Sequence, residues 1–378
     1  MGKVFYRDLK LGVLGGGQLG RMLIQEAINF DVFVAVLDPS PIAPCAKIAS
    51  EFVIGDIQDF NTVYEFGKSV DVLTIEIEHV NVDALEKLEK EGVKVYPKPS
   101  NLRTVQDKGL QKEFYEAHGI PTSSFKLIDN KSELSPNELP CVQKLRKGGY
   151  DGKGVIVLKE QADLSNAFDA PCVVEEVVDF EKEIAVIIAR NESGDVKSFP
   201  IVELEFNPEA NLVEYLFAPA NVSEDVNIHA NEIAEKLINA LDFVGILAVE
   251  MFVTKTGEVL VNEIAPRPHN SGHHTIEANI TSQYEQHIRS VLDVPLGATD
   301  AISAAVMINL LGEKEFEGDV FYENLNEVLA IKGSKIHIYG KKQTKSFRKM
   351  GHVTVVDQDL EKAKQKAKEV KSLLKVKA

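Results

Sequence analysis

Residues 11–97 alternate short apolar runs with amphipathic stretches, and this alternation constrains the fold more than any other feature. Leu11–Leu14, Val32–Leu37, Phe52–Ile54, Val72–Ile77 and Val93–Tyr96 read as strands. Leu19–Asn29, Phe60–Gly67 and Val82–Lys90 read as the helices between them. Strand and helix in turn imply a doubly wound parallel sheet with helices on both faces. The first strand runs into Gly15-Gly-Gly-Gln-Leu-Gly20, a G-x-G-x-x-G pattern at the start of a helix. Glycines there allow a tight turn, and the helix N-terminus offers N–H groups and a positive dipole end to a phosphate. Asp38 ends the next strand, where the ribose-binding acid of a dinucleotide site would stand. Taken alone, this favours a nicotinamide-dependent oxidoreductase. The same loop can also hold a phosphate monoester or pack a helix closely on a sheet.

From about Asn101 the pattern changes to α+β. A helix is expected from Asn101 to His118, stopped by Gly119 and Pro121. Strands interrupted by glycine loops follow: Cys141–Leu145, Val155–Leu158, Cys172–Val177, Glu183–Arg190, Val196–Glu203, Gly245–Val253 and Val259–Ile264, with a helix over Ile228–Leu241. The remainder holds strands at Ala304–Leu310, Lys335–Tyr339 and His352–Val356, then a lysine-rich amphipathic helix. The expected domains are 1–100, doubly wound; 101–296, α+β; and 297–378, small and β-rich.

The formal net charge of −16 argues against a broad nucleic-acid or membrane surface but not against an anionic ligand held in a locally basic pocket. The apolar runs are strand-length, too short to cross a bilayer, and Met1–Lys10 lacks the apolar core of a signal peptide. Cys45, Cys141 and Cys172 show neither metal nor disulfide spacing, so a reducing, cytoplasmic setting is expected.

A second constellation weighs against the nicotinamide reading. Lys144 ends a strand just before Arg146-Lys-Gly-Gly-Tyr-Asp-Gly-Lys-Gly154, a glycine loop able to close over a triphosphate while lysine supplies charge. It lacks the Gly-Lys-Ser/Thr of a Walker loop, and by itself it could be a solvated hairpin. It is followed by an apolar strand bearing Glu175 and Glu176, then by Glu183, Glu250 and the triplet Val261-Asn262-Glu263. Carboxylates flanked by apolar residues on neighbouring strands, with an amide beside them, are hard oxygen donors suited to Mg²⁺ bridging phosphates. Arg267-Pro-His-Asn-Ser-Gly-His-His274 suits an anionic, hydrogen-bonding substrate. Its three histidines make a poor zinc site without a further ligand. Lys341 and Arg348 lie in a basic stretch for which a solvated hairpin is the default.

In this order the residues resemble the ATP-grasp superfamily. Gly15-Gly-Gly-Gln-Leu-Gly-Arg-Met22, Gly148-Gly-Tyr-Asp-Gly-Lys-Gly154, Asn262-Glu-Ile-Ala-Pro-Arg-Pro-His-Asn-Ser-Gly-His273 and Arg348-Lys-Met-Gly-His-Val-Thr354 resemble the N5-carboxyaminoimidazole ribonucleotide synthetase family in particular. The resemblance implies a doubly wound pre-ATP-grasp domain, a central ATP-grasp domain, a small C-terminal domain and a homodimer. It implies ATP and Mg²⁺ as cofactors, and aminoimidazole ribonucleotide and bicarbonate as substrates. Lys144, Arg267 and Glu263 would be catalytic, and Glu250 and Glu263 would hold the metal. Lys108, Lys144, Gly149, Tyr150, Asp151, Gly152, Lys153, Gly154 and Val155 would bind ATP phosphates. Glu175, Glu176, Val177 and Val178 would pair with adenine through backbone groups, Glu183 would take the ribose, and Phe206 and Asn262 would lie against the nucleotide. Gly17, Gln18, Leu19, Glu78, Arg267, His269, Asn270, Ser271, Lys341 and Arg348 would surround the ribonucleotide. Lys108 stands where many members carry arginine, and Phe206 where many carry histidine. A formate-using transformylase-like ATP-grasp enzyme is the nearest alternative.

Overall fold

The computed structural model describes residues 4–149, 154–209 and 212–378. The N-terminal region is a five-stranded, all-parallel sheet in the order Glu51–Ile54, Phe33–Asp38, Lys10–Leu14, Val72–Ile75, Lys94–Val95. Its central strands are buried on both faces, which is why they read as continuous apolar runs. The helix Gln18–Asn29 buries Leu19, Met22, Leu23, Ile24 and Ala27 on one stripe against this sheet. The strand expected over Val72–Ile77 stops at Ile75, which leaves Glu76 and Glu78 just past its carboxyl end. That is the edge where ligands of open parallel sheets bind.

The single helix expected over 101–118 is two, Pro99–Gln106 and Lys108–Ala117. Asp107 breaks it. Its backbone is extended, and its carboxylate accepts from the N–H groups of Gly109 and Leu110 at 2.9 and 3.3 Å, capping the second helix. Hydrophobic periodicity runs through such a break undetected. A four-stranded antiparallel sheet follows, ordered Phe125–Ile128, Cys172–Glu176, Cys141–Leu145, Val155–Leu158. Its first strand is absent from the sequence reading.

The largest sheet has nine strands, running Val259–Ala265, Gly245–Thr254, Phe180–Arg190, Val202–Asn207, Leu212–Ala218, Ala304–Leu311, Lys349–Asp357, Ser334–Ile338, with Val196–Ser198 beside Phe180–Arg190. The strand expected over Val196–Glu203 is therefore two, parted around Pro200, which has no N–H for a ladder. The sheet crosses the 296/297 divide, because Leu212–Ala218 pairs with Ala304–Leu311. One face near its first strands packs on the helix Glu224–Ala240, which begins earlier than expected because Ser223 caps it. The opposite face carries Glu183, Glu250 and Glu263. The C-terminal helix Leu360–Leu373 buries Ala363, Ala367 and Val370; Lys362 and Lys368 are exposed, while Lys366 and Lys371 flank the buried stripe and pair with Asp357 and Glu214.

The helix Gln283–Val291, missed in the sequence, ties the N-terminal sheet to the largest one. His287 accepts the Ile246 N–H at Nδ1 (3.2 Å), so its Nε2–H is left to donate to Thr74 Oγ1 (2.9 Å). Among the described residues no helix is long and apolar enough to cross a membrane.

Candidate active site

The glycine loop of the first domain is shaped by two carboxylates beneath it. Asp38 accepts the Gly16 N–H at 2.7 Å and the Ser40 N–H at 2.8 Å. Glu76 accepts the N–H groups of Gly17 and Gly20, both at 2.8 Å. A Cβ on Gly17 would lie 2.6 Å from Glu76 Oε1, and one on Gly15 would lie 2.6 Å from Glu76 Cγ. The glycines are there to let Glu76 approach. Burial lifts the Glu76 carboxyl above its ordinary range, although the two N–H groups oppose the shift. A pyrophosphate here would meet two anions already holding the donors it needs, so the dinucleotide reading fails. Asp38 is a loop support, not a ribose ligand, and the Gly17 N–H is spent on Glu76. Gln18 and Leu19 open the helix, where the N–H groups of the first turn point out of the helix end with no carbonyl a turn earlier to accept them. Sequence reasoning missed Glu76, although Glu76 and Glu78 are two acids in alternation at a strand end.

The residues expected around a nucleotide meet between the two antiparallel sheets. Lys144 donates to Asn262 Oδ1 at 2.8 Å and pairs with Glu175 Oε2 at 2.9 Å. The Glu175 side chain is buried. Burial opposes its charge, but Lys144 and Lys112 outweigh it and hold the carboxyl below its usual range. The strand ends at Glu176, so Val177 and Val178 lie past the ladder, where they line a cleft of about 460 Å³ with Thr122–Ser124 and Leu260. Burial raises the Glu183 carboxyl to about 7, with Lys144 pulling it down and Glu263 pushing it up. Phe206 sits at a bulge and packs on Leu204 and Val213. Gly149, Gly154 and Val155 stand at the neck of a hairpin in which Lys144 pairs with Val155. Gly154 has φ +78°, and a Cβ there would press on Leu145 at 3.1 Å. Tyr150, Asp151, Gly152 and Lys153 lie outside the described residues. At the base of the hairpin, Arg146 forks onto Asp107 at 2.8 and 3.0 Å.

Glu250 and Glu263 are direct cross-strand partners. Like charges so placed repel. Lys108 answers one of them, with Nζ 2.5 Å from Glu263 Oε2, and holds that carboxyl well below its usual range. Glu250 is pushed up by burial and then by Glu263 and Glu183. Two facing oxygen donors, one of them short of positive charge and flanked by the Asn262 amide, fit a divalent cation completed by phosphate oxygens.

Among the residues expected around the ribonucleotide, Arg267 forks onto Glu78 from the N-terminal region, Nη2 to Oε1 at 3.1 Å and Nε to Oε2. Burial disfavours the Glu78 charge, yet Arg267 wins and holds the carboxyl at about 2. His269 accepts from or donates to Ser271 Oγ at 2.9 Å and lies 3.5 Å from Glu250. Burial and the Arg267 charge drive its imidazole down to about 3, so it stays neutral. Gln283 fixes the turn by bonding both the N–H and the C=O of His269, at 2.9 and 2.7 Å. Asn270 exchanges amide bonds with Asn309 at 2.8 and 2.9 Å. The side chains of Asn270 and Ser271 thus hold the wall in place. The three histidines diverge, with His273 Nδ1 turned to Tyr284 at 3.0 Å, and they do not meet at one metal position. Lys341 donates to the Lys349 carbonyl at 2.7 Å and Arg348 to that of Gln343 at 2.8 Å. Their stretch of chain reaches the first helix, since Gly340 lies beside Arg21 and Tyr339 packs in the Leu19–Met22 cluster. Lys349 went unmarked in the sequence, though its charge acts on Glu250 and His269.

Comparison with known proteins agrees with this arrangement. Residues 9–106 match the ribonucleotide synthetase preATP-grasp domain, 113–284 the ATP-grasp domain, and 305–366 the phosphoribosylaminoimidazole carboxylase C-terminal domain. The chain is 37% identical over 366 residues to the N5-carboxyaminoimidazole ribonucleotide synthase of Bacillus subtilis, covering 94% of this chain and 93% of that one. It is 41% identical to the chloroplastic phosphoribosylaminoimidazole carboxylase of Vigna aconitifolia, over 93% of this chain but only 65% of that longer protein. The N5-carboxyaminoimidazole ribonucleotide synthetase of Thermotoga maritima superposes with a TM-score of 0.91 at 46% identity, covering 98% of this chain and 99% of that one. The Aspergillus clavatus enzyme, solved with ADP and 5-aminoimidazole ribonucleotide, gives 0.88 at 32% identity, covering 97% and 98%. With likeness of this extent across all three regions, the chain belongs to the N5-carboxyaminoimidazole ribonucleotide synthase family of ATP-grasp enzymes.

Proposed function

We propose that the chain joins bicarbonate to 5-aminoimidazole ribonucleotide at the expense of ATP, giving N5-carboxyaminoimidazole ribonucleotide, ADP and phosphate for purine synthesis. The observation that carries this reading is the meeting of two anion-handling centres. Lys144 with the Glu250/Glu263 pair lies on one side, and the Arg267–Glu78 fork, whose charge also acts on the Glu76 beneath the start of the first helix, lies on the other.

A bicarbonate oxygen attacks the γ-phosphorus as the bond to ADP breaks, giving carboxyphosphate. The exocyclic amine then attacks the carboxyl carbon, phosphate leaves and the nitrogen gives up a proton. Lys144 and Lys108 supply charge along the phosphates, and Arg267 orients the anionic partner. Glu250 and Glu263, with Asn262 beside them, would hold Mg²⁺, which when bound offsets phosphate charge. Enclosure between the sheets shields carboxyphosphate from water. Lys341 and Arg348 serve the ribonucleotide phosphate, because a helix N-terminus supplies only partial charge. A homodimer and a cytoplasmic setting complete the proposal.

Turnover of ATP is expected to need magnesium and to rise strongly on adding the ribonucleotide with bicarbonate. Equal ADP release with and without the ribonucleotide would remove this substrate. Arg348→Ala should raise the Michaelis constant for the ribonucleotide by roughly one to two decades, the scale of a charge-assisted hydrogen bond, and barely move that for ATP. Initial-rate kinetics on both substrates checks the split. A collapse of ATP affinity would place Arg348 in the other site.

A further inference from the structure

Lys112 carries no role in the reaction as described, yet it is one of the most enclosed charges in the protein. Its side chain is 3% exposed and sits one helical turn beyond Lys108. Its ammonium meets Thr122 Oγ1 at 2.6 Å, Ser123 Oγ at 3.0 Å and Glu175 Oε1 at 3.2 Å, three acceptors for three N–H groups. Burial pushes this ammonium down to about 8, with Glu175 opposing the shift.

The contacts close into a ring. Glu175 gives its second oxygen to Lys144, and Lys144 reaches Asn262. Asn262 follows Val261, whose carbonyl accepts from Thr122 Oγ1 at 2.7 Å. Thr122 returns to Lys112. The ring crosses from the four-stranded sheet, which carries Lys144 and Glu175, to the nine-stranded sheet, which carries Asn262 and Glu263. We infer that Lys112 is a positioning residue for the nucleotide site, fixing Glu175 so that the Lys144 ammonium is shared between Glu175, Asn262 and an incoming phosphate.

The physical reason is a division of charge. With Lys112 present, Glu175 spreads its charge over two cations and binds Lys144 only in part. Without it, the buried carboxylate keeps the Ser123 hydroxyl at 3.3 Å but has Lys144 as its one ion-pair partner among the described residues, draws it in and withholds it from the nucleotide. A merely structural lysine would affect stability without distinguishing the two substrates.

The inference rests on the proposed use of ATP, so the test begins with calorimetry of ADP and magnesium on the wild-type protein. Lys112→Met is expected to weaken ADP binding and raise the ATP Michaelis constant by roughly 10- to 100-fold, the range for a lost charge-assisted bond. The ribonucleotide constant should stay within about twofold. Because Lys112 acts through Glu175, adding Lys112→Met to Glu175→Gln should cost no more than about twofold beyond Glu175→Gln alone. Should Lys112→Met not fold, Ser123→Ala removes a shared partner of Lys112 and Glu175, and should weaken ADP by about three- to tenfold. Unchanged ADP binding, equal rises in both constants, or multiplying effects with Glu175→Gln would each overturn the inference. Wild-type ADP binding without stimulation by the ribonucleotide would remove the substrate assignment alone.

Discussion

Replacing Glu263 with Gln is expected to lower ATP turnover by roughly two to three decades while the protein still folds, the scale of losing one preorganised charge in an enclosed site. Glu263 and Glu250 face each other across neighbouring strands, and each disfavours the other's charge. Their placement makes sense only where positive charge comes between them. Lys108 supplies part of it on Glu263. The amide keeps the shape of the side chain and one oxygen, but loses the anion that would bind a hard cation. The stability change should be small, because two effects oppose. The Lys108 contact is lost from a side chain that is 44% exposed, worth about 1 kcal/mol or less, and the repulsion of Glu250 is relieved. Initial rates across a magnesium titration, beside a thermal melt, separate site from fold. Near-normal turnover at limiting magnesium in a folded variant would show that Glu263 is not a ligand.

The parts of this site that were legible in the sequence are those where chemistry and local pattern coincide. Lys144, Glu250 and Glu263 stand out because each is a charge on an otherwise apolar strand, and a charge in that setting needs a partner. The strand–helix alternation of the first domain was legible because parallel strands buried on both faces have no polar alternation to blur them. What escaped depends on contacts distant in sequence. Asp107 looks like one more polar residue on a helix until Arg146, 39 positions later, is brought against it. Lys112 follows Lys108 at helical spacing and reads as a solvated face, and only the fold shows Thr122, Ser123 and Glu175 around it. The pairing of Leu212–Ala218 with Ala304–Leu311 spans nearly a hundred residues that no local pattern connects. The glycine run was legible as a turn but misleading as a dinucleotide signature, because the N–H groups of Gly17 and Gly20 are held by the protein's own Glu76.

Gly17→Ala tests that last point and should have an effect well beyond one methyl group. The backbone at Gly17 has φ −79° and ψ −157°, a conformation open to any residue, so alanine incurs no backbone strain. All of the cost comes from the Cβ, which would meet Glu76 Oε1 at 2.6 Å, Oε2 at 3.1 Å and Cδ at 3.2 Å. A side-chain end can usually move aside. This one is held at both oxygens by the N–H groups of Gly17 and Gly20. Shifting the carboxylate breaks charge-assisted bonds and leaves a partly buried anion short of donors, at about 1–3 kcal/mol. The melting temperature should fall by roughly 1–4 °C. Gln18 and Leu19 follow directly, so their N–H groups would be re-aimed at the helix start. The Michaelis constant for the ribonucleotide should rise by roughly 10- to 100-fold as those donors lose their aim, while that for ATP, proposed to bind between the other sheets, stays within about twofold. A variant that melts like the wild type and binds the ribonucleotide normally would show that Glu76 is free to move, and the glycine loop would need another explanation. If ATP binding fell in step with ribonucleotide binding, the damage would have spread through the domain interface, and the loop could not be assigned to the ribonucleotide alone.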